Sequence, residues 1–150
     1  MNALEKLYDY AYEIGIDIYS ERLSDTKKAV CLRFDDFKVI ALDKSRIETG
    51  MEEKVILAEE IGHYETNSMY GLSEDMNTPF ARANRGKAEY RAKAWRTERL
   101  LPPETIQSAI YKCYDEYNLA DYLDVPINIL REAIEYWGMK GVAFDFPDCG

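Results

Sequence analysis

The only histidine of this 150-residue chain, His63, lies in a segment whose spacing suits a metal site. It ends the run Glu59-Glu60-Ile61-Gly62-His63. On a helix, residues 59 and 63 project from the same face, and residue 60 lies beside them. Zinc accepts imidazole nitrogen and carboxylate oxygen, and two ligands from one helical turn leave a neighbouring glutamate to activate water. The segment is therefore a candidate hydrolytic metal site, with Glu59 and His63 as ligands and Glu60 as base.

A glycine inside this predicted helix points to a close contact. Glycine costs about 1 kcal/mol relative to alanine within a helix. Gly62 therefore predicts that something packs or binds near the helix backbone at this point. The alternative for the whole segment is an ordinary amphipathic helix that carries a histidine and two glutamates at its surface.

The elements that must position this segment can be predicted from periodicity and caps. Apolar residues at spacings of three and four predict an opening helix that Gly15 ends. The β-rich runs 29–34 and 37–43 predict an antiparallel hairpin, whose second run is the more apolar and is expected to be the more buried. Thr49 and Glu52 form a capping box at the start of the candidate site helix.

Helices are predicted for the rest of the chain, after an exposed loop over residues 65–79. A long helix should run from about Ala81 to Leu101 and stop at the prolines that follow. Three further helices complete the chain, with Asn118 as an N-cap and Pro126 as a first-turn residue. Residues 118–134 have the outline of a helix-turn-helix. Helix, hairpin and helices in this order predict an α+β fold with a small antiparallel sheet.

The segment L-A-E-E-I-G-H-Y at residues 57–64 resembles the active-site helix of the ImmA/IrrE metallopeptidases, whose pattern is close to L-A-H-E-L-G-H. An apolar strand precedes it, and a later helix ends in L-L-P at residues 100–102, like the family's L-L-M-P. The resemblance implies a zincin-like domain over residues 1–104. Residues 105–150 would be a helical C-terminal extension with the helix-turn-helix outline.

The resemblance also implies roles for the acidic residues and the histidine. By position, His63 would be a metal ligand and Glu60 the general base that deprotonates the metal-bound water. Glu59 stands where the family has a ligand histidine, so it would bind the metal through a carboxylate. Because oxygen is a harder ligand than imidazole, this exchange weakens zinc binding or alters the metal preference. The implied cofactor is a divalent metal, with Zn²⁺ as the first choice.

The candidate for the third ligand is Glu89, although its register departs from the family. The family places a glutamate eleven residues before the proline, which corresponds to Arg91 when counted from Pro102. Two residues turn a helix by about 200°. Glu89 can therefore act as the third ligand only if the helix start, the helix rotation or the position of the proline differs from that in the family.

Other partners for these groups remain open. Glu74 and Asp75 in the preceding loop are alternative third ligands, since loops often carry such residues. Glu89 could instead pair with a cation four residues away, Arg85 or Lys93.

Charge and cysteine usage restrict the classes of partner and compartment. The chain carries 19 Lys and Arg against 28 Asp and Glu, a net charge of −9, which argues against wrapping nucleic acid or an anionic membrane. No apolar run of about 18 residues and no secretory signal is present in the sequence. Three widely spaced cysteines, Cys31, Cys113 and Cys149, suit reduced thiols better than disulfides. We expect a cytoplasmic protein.

Two charged helices give mixed signals about nucleic acid. A basic face on the long helix suits an acidic substrate or nucleic acid, or is simply solvated. The second helix of the helix-turn-helix outline carries Arg131 and Lys140 but also Glu132 and Glu135, which favours a structural or partner-docking role over direct nucleic-acid binding. The cations of the long helix are Arg82, Arg85, Lys87, Arg91, Lys93, Arg96 and Arg99.

Three hypotheses follow from the sequence. The first is a metal-dependent endopeptidase that acts on a helix-turn-helix repressor of a phage or mobile element. The second is a protein of the same fold that has lost catalysis and works by binding, as an antirepressor or regulatory partner. The third is an acidic helical interaction domain without a site.

Overall fold

The computed structural model describes residues 1–24, 26–67 and 79–147, and the chain divides into two compact units, residues 1–96 and 97–150. None of the helices within the described residues is long and apolar enough to cross a membrane. The α+β class predicted from the sequence is confirmed. The elements are α1 (Ala3–Glu13), β1 (Ile16–Ser20), β2 (Ala29–Phe34), β3 (Phe37–Leu42), α2 (Gly50–Glu65), α3 (Pro79–Leu100), α4 (Pro103–Ile110), α5 (Glu116–Leu123) and α6 (Ile127–Met139).

The sheet of the first unit is mixed rather than antiparallel. The predicted hairpin is confirmed, since β2 pairs antiparallel with β3. The strand β1, which the sequence reasoning missed, pairs with β3 in parallel, so the strand order is β1-β3-β2. Gly15 adopts φ +81° directly after α1 and lets the chain turn at once into β1. The central position of β3 explains why its residues Ile40 to Leu42 are buried, as predicted.

The start of α2 is determined by a network of caps. The Thr49 side chain accepts a hydrogen bond from the Glu52 amide, as the capping box predicts. The Glu52 carboxylate accepts from the amide of Glu48, one residue before the N-cap, and is also paired with Lys28. Asp43, buried at the end of β3, accepts hydrogen bonds from the Leu23 amide and from Ser45. These hydrogen bonds fix the segment that connects β3 to α2.

A tyrosine hydroxyl connects α2 to the hairpin. The Tyr64 hydroxyl accepts a hydrogen bond from the Val39 amide at 2.9 Å, and its single hydrogen is shared between the carbonyl oxygens of Val39 and Leu32, to which it donates. Val39 and Leu32 are register partners on β3 and β2, so the hydroxyl is inserted into the ladder between the two strands. The C-terminal turn of α2, which carries His63, is therefore attached to the sheet through polar contacts as well as apolar packing.

The second unit contains the predicted helix pair α5 and α6. The N-cap of α5 is Asp115, whose side chain accepts from the Asn118 amide, so the prediction of Asn118 as the cap was wrong by one turn. The turn between the helices passes through Asp124 in the left-handed region at φ 56° and ends at Pro126, the N-cap of α6. Trp137 of α6 donates its indole N–H to the Leu101 carbonyl at 2.8 Å.

Candidate metal centre

The centre is built where α2 and α3 approach one another at Gly62. A Cβ placed on Gly62 would lie 2.7 Å from the carbonyl oxygen of Ala92, and Ala92 is itself completely buried. The predicted close approach to the backbone of Gly62 is therefore confirmed, and the approaching group is the backbone of α3. Only glycine allows this separation, since any side chain would push the helices apart. The small stripe of α3 that includes Ala88 and Ala92 is buried as the sequence indicated.

Three predicted ligands converge beside this crossing. Glu59 and His63 on α2 and Glu89 on α3 each place one ligand atom within 4.8 Å of the other two. The Nε2 atom of His63 lies 3.8 Å from Oε1 of Glu89. His63 is only 4% exposed, whereas both glutamates are half-buried, so the cluster is closed on the histidine side and more open at the carboxylates.

Glu89 reaches the cluster because of the way α3 meets α2. It precedes Ala92 by three residues, so it lies on the helix face that packs against Gly62. Its carboxylate lies close to Glu59 as well as to His63, within 4.8 Å of a ligand atom of each. The alternative ligands Glu74 and Asp75 lie outside the described residues.

A buried arginine completes the surroundings of Glu59. The Arg96 guanidinium donates a hydrogen bond to Oε2 of Glu59 at 2.8 Å, and Arg96 is only 2% exposed. The sequence places Arg96 among the seven cations of a basic face, and the other six are exposed. Arg96 faces inward because it follows Ala92 by four residues and continues the buried stripe. The spacing of that stripe is the signal that could have singled it out.

Opposing influences act on the carboxyl group of Glu59. Burial raises its pKa, Arg96 lowers it, and the hydrogen bond and negative charge of Glu89 raise it, with a net rise. Two carboxylates held close together and partly removed from water are stabilised by a cation placed between them, because it offsets their mutual repulsion. The pair is therefore disposed to accept a metal ion.

Glu60 faces the sheet side of the same helix turn. The Cys31 thiol of β2 lies beside its carboxylate, and burial raises the pKa of Glu60 to about 7, against the opposing influences of His63 and of this thiol. Burial and the neighbouring carboxylate of Glu60 also raise the pKa of Cys31, which keeps this residue a thiol. Sequence analysis did not connect Cys31 with the site, because the contact depends on how β2 packs on α2.

The donor set fits a divalent ion. One imidazole nitrogen and two carboxylate oxygens are accepted by zinc, and the oxygen-rich set also suits harder ions such as Mn²⁺ or Fe²⁺. Glu59 uses one oxygen for Arg96, and its second oxygen is left for the cluster. The group of Glu59, His63 and Glu89 can thus hold a metal ion.

Tyr64, which follows the histidine, is not available for chemistry, because its hydroxyl is taken up by the two strands. Comparisons of the chain with protein-family models, with curated proteins and with solved structures find no match.

Proposed function

We propose that this protein is a metal-dependent peptidase similar to the ImmA/IrrE family, with a zincin-like first unit. The observation that carries the proposal is the convergence of Glu59, His63 and Glu89, which lie on two different helices and are 30 residues apart at their widest. The chain contains a single histidine, and that histidine is buried against two carboxylates rather than placed at the surface.

The roles of the chain's own groups follow from their positions. Glu59, His63 and Glu89 would hold the divalent ion, and Arg96 orients Glu59 while balancing part of the negative charge. Glu60 accepts the proton of the attacking water and can return it to the leaving amine. A bound divalent cation would supply Lewis acidity, which polarises a carbonyl and makes water more acidic. The Cys31 thiol beside Glu60 lowers the pKa of that carboxyl group and so favours the ionised form that a base requires.

The substrate proposed is a helix-turn-helix repressor of a phage or mobile element, met in the cytoplasm. It rests on the resemblance of residues 57–64 to the active-site helix of those metallopeptidases.

A second candidate function, a non-catalytic antirepressor of the same fold, is favoured by the Arg96 contact. Arg96 donates a hydrogen bond to Glu59, and Glu89 lies 3.8 Å from His63, so both carboxylates have partners within the chain itself. The cluster could then serve as a structural joint between α2 and α3.

Metal content separates the two functions first. The purified, tag-free chain is offered Zn²⁺, Mn²⁺ and Fe²⁺ in turn and analysed for bound metal. We expect close to one ion per chain, lost in His63→Ala and Glu89→Gln. Glu98→Gln, an exposed glutamate of the same helix, is the matched control and should retain the ion. Metal-free protein under every condition would reject the peptidase.

The base is tested next. Glu60→Gln should retain the metal and the binding of a repressor but abolish its cleavage, because the amide cannot accept the proton. Cleavage that survives Glu60→Gln would contradict the mechanism. Partner binding without cleavage by the unaltered, metal-loaded chain would establish the antirepressor instead.

A further inference from the structure

The second unit contains a pocket that the metal centre does not use. It has a volume of about 250 Å³ and lies among the end of α4, the start of α5, α6 and the segment that follows α6. Its apolar lining includes Ile110, Leu119, Ile134 and Phe146. Ile134 belongs to the apolar stripe of α6 yet stays half-buried, because it faces this pocket.

The segment after α6 is held against the pocket by a reciprocal pair of hydrogen bonds. The Gln107 side chain of α4 donates to the Asp145 carbonyl and accepts from the Asp145 amide, both at 2.9 Å. This contact places the next residue, Phe146, at the pocket rim with 59% of its surface exposed. Tyr114, which also lines the pocket, is 87% exposed. Two large aromatic side chains, Phe146 and Tyr114, are thus exposed to solvent at the pocket.

The charge around this pocket is strongly negative. Residues 97–150 contain ten acidic and four basic residues, a net charge of −6. Three of the four cations contact groups of the same unit: Arg131 pairs with Glu116, Lys112 donates to the Tyr122 hydroxyl, and Lys140 lies over the Tyr136 ring. Asp115 and Glu116 are themselves at the pocket.

We propose that this pocket docks a basic polypeptide segment that inserts one apolar side chain between Phe146 and Ile134. The volume lies below the roughly 300–1,000 Å³ of small-molecule sites and suits a single side-chain anchor. Exposed tyrosines and acidic groups attract Lys and Arg through cation–π and Coulomb interactions. A second copy of this chain would bring another surface of charge −6, and nucleic acid would bring phosphates, so both are repelled.

The inference is independent of the metal centre and extends the functional proposal. The recognition helix of a DNA-binding protein exposes Arg and Lys beside apolar residues. Such a helix seated in the pocket would be withdrawn from DNA, whether or not the partner is then cleaved.

The test is selection of binders from a random-peptide display library on the full-length chain. We expect enrichment of basic peptides with one large apolar residue, and at least tenfold weaker binding when that residue becomes serine or the basic residues become glutamate. Phe146→Ala should weaken the enriched peptide at least fivefold, whereas Tyr12→Ala, an exposed tyrosine of α1, should not.

A charge swap controls for folding. Glu116→Arg combined with Arg131→Glu keeps the exposed ion pair but reverses the charge at the pocket, so binding should fall at least fivefold without loss of stability. The proposal is overturned by absence of enrichment, by enrichment of acidic peptides, or by indifference to Phe146→Ala and the swap. Self-association through Phe146, or preferred binding of duplex DNA, would also overturn it.

Discussion

The two compact units of this protein use arginine–glutamate pairs in opposite ways. In the first unit, Arg96 is buried at the crossing of α2 and α3 and holds a glutamate of the candidate metal centre. In the second, Arg131 pairs with Glu116 at the surface, where both side chains are about half exposed. Burial makes the first pair a constraint on geometry, whereas water screens the second. The same type of ion pair can therefore position a candidate metal ligand when it is buried, or only alter the surface charge when it is exposed.

The largest loss of stability is expected from adding a side chain where α2 and α3 are in close contact. Gly62→Ala places a Cβ 2.7 Å from a backbone oxygen and should destabilise the unit by about 2–3 kcal/mol, as overpacking does. Gly86→Ala on α3 meets nothing within 4 Å and should instead stabilise by up to about 1 kcal/mol. Urea unfolding followed by Trp95 fluorescence in a Trp137→Phe background measures both. Equal responses would mean that the helices do not meet at residue 62.

Removing each arginine tests the comparison directly. Arg96→Met leaves the half-buried Glu59 without its cation and should cost about 2 kcal/mol, less than the roughly 3–5 kcal/mol of a fully buried pair. Arg131→Met should leave stability unchanged within error, because its pair is exposed. Trp95 fluorescence in a Trp137→Phe background and Trp137 fluorescence in a Trp95→Phe background report the two losses separately. A greater loss for Arg131→Met would reverse the assignment of the two pairs.

A smaller loss of stability is expected when the hydroxyl of Tyr64, which joins α2 to the hairpin, is removed. Tyr64→Phe removes the hydroxyl inserted between β2 and β3 and should cost about 1–2 kcal/mol, the cost of leaving buried backbone groups unpaired. Tyr114→Phe in the second unit changes an exposed ring and should have no effect on stability. Amide hydrogen exchange should accelerate at Val39 in the first variant alone, and unchanged exchange there would refute the insertion.

The smallest effect is an acid dependence that differs between the units. Hydrogen bonds from Ser45 and the Leu23 amide hold the pKa of Asp43 below its ordinary value of 3.8. The folded carboxyl binds its proton less readily than the unfolded one, so its contribution to stability is present above pH 3.8 and is lost as pH falls through the folded pKa. Asp43→Asn should flatten the acid limb of a stability–pH curve.

The matching substitution in the second unit is Glu116→Gln. The pKa of Glu116 is also lowered, by Arg131, but this carboxylate is exposed, so the acid limb reported by Trp137 should barely change. A flattening as large as that for Asp43→Asn would show that the acid dependence of stability is not weaker for the exposed carboxylate than for the buried one.

Local signals in the sequence predicted most of the secondary structure. The capping box at Thr49, the hairpin and the long α3 depend on residues close in the chain, and all are found. The strand β1 was missed because its five residues lack a strong pattern and form a strand only by pairing with β3 in parallel. The cap of α5 was misplaced because Asp115 and Asn118 are both good capping residues, and backbone geometry selects between them.

The sequence by itself determined which groups could do chemistry: one histidine, two adjacent glutamates and a glycine in the same helical turn. Tertiary structure alone decided that Glu89 meets them, that Arg96 turns inward and that Cys31 reaches Glu60. The first set depends on the fixed 3.6-residue period of a helix, which a sequence reveals. The second depends on how helices and strands distant in the chain pack against one another, as α2 and α3 do at the close approach of Gly62 to Ala92.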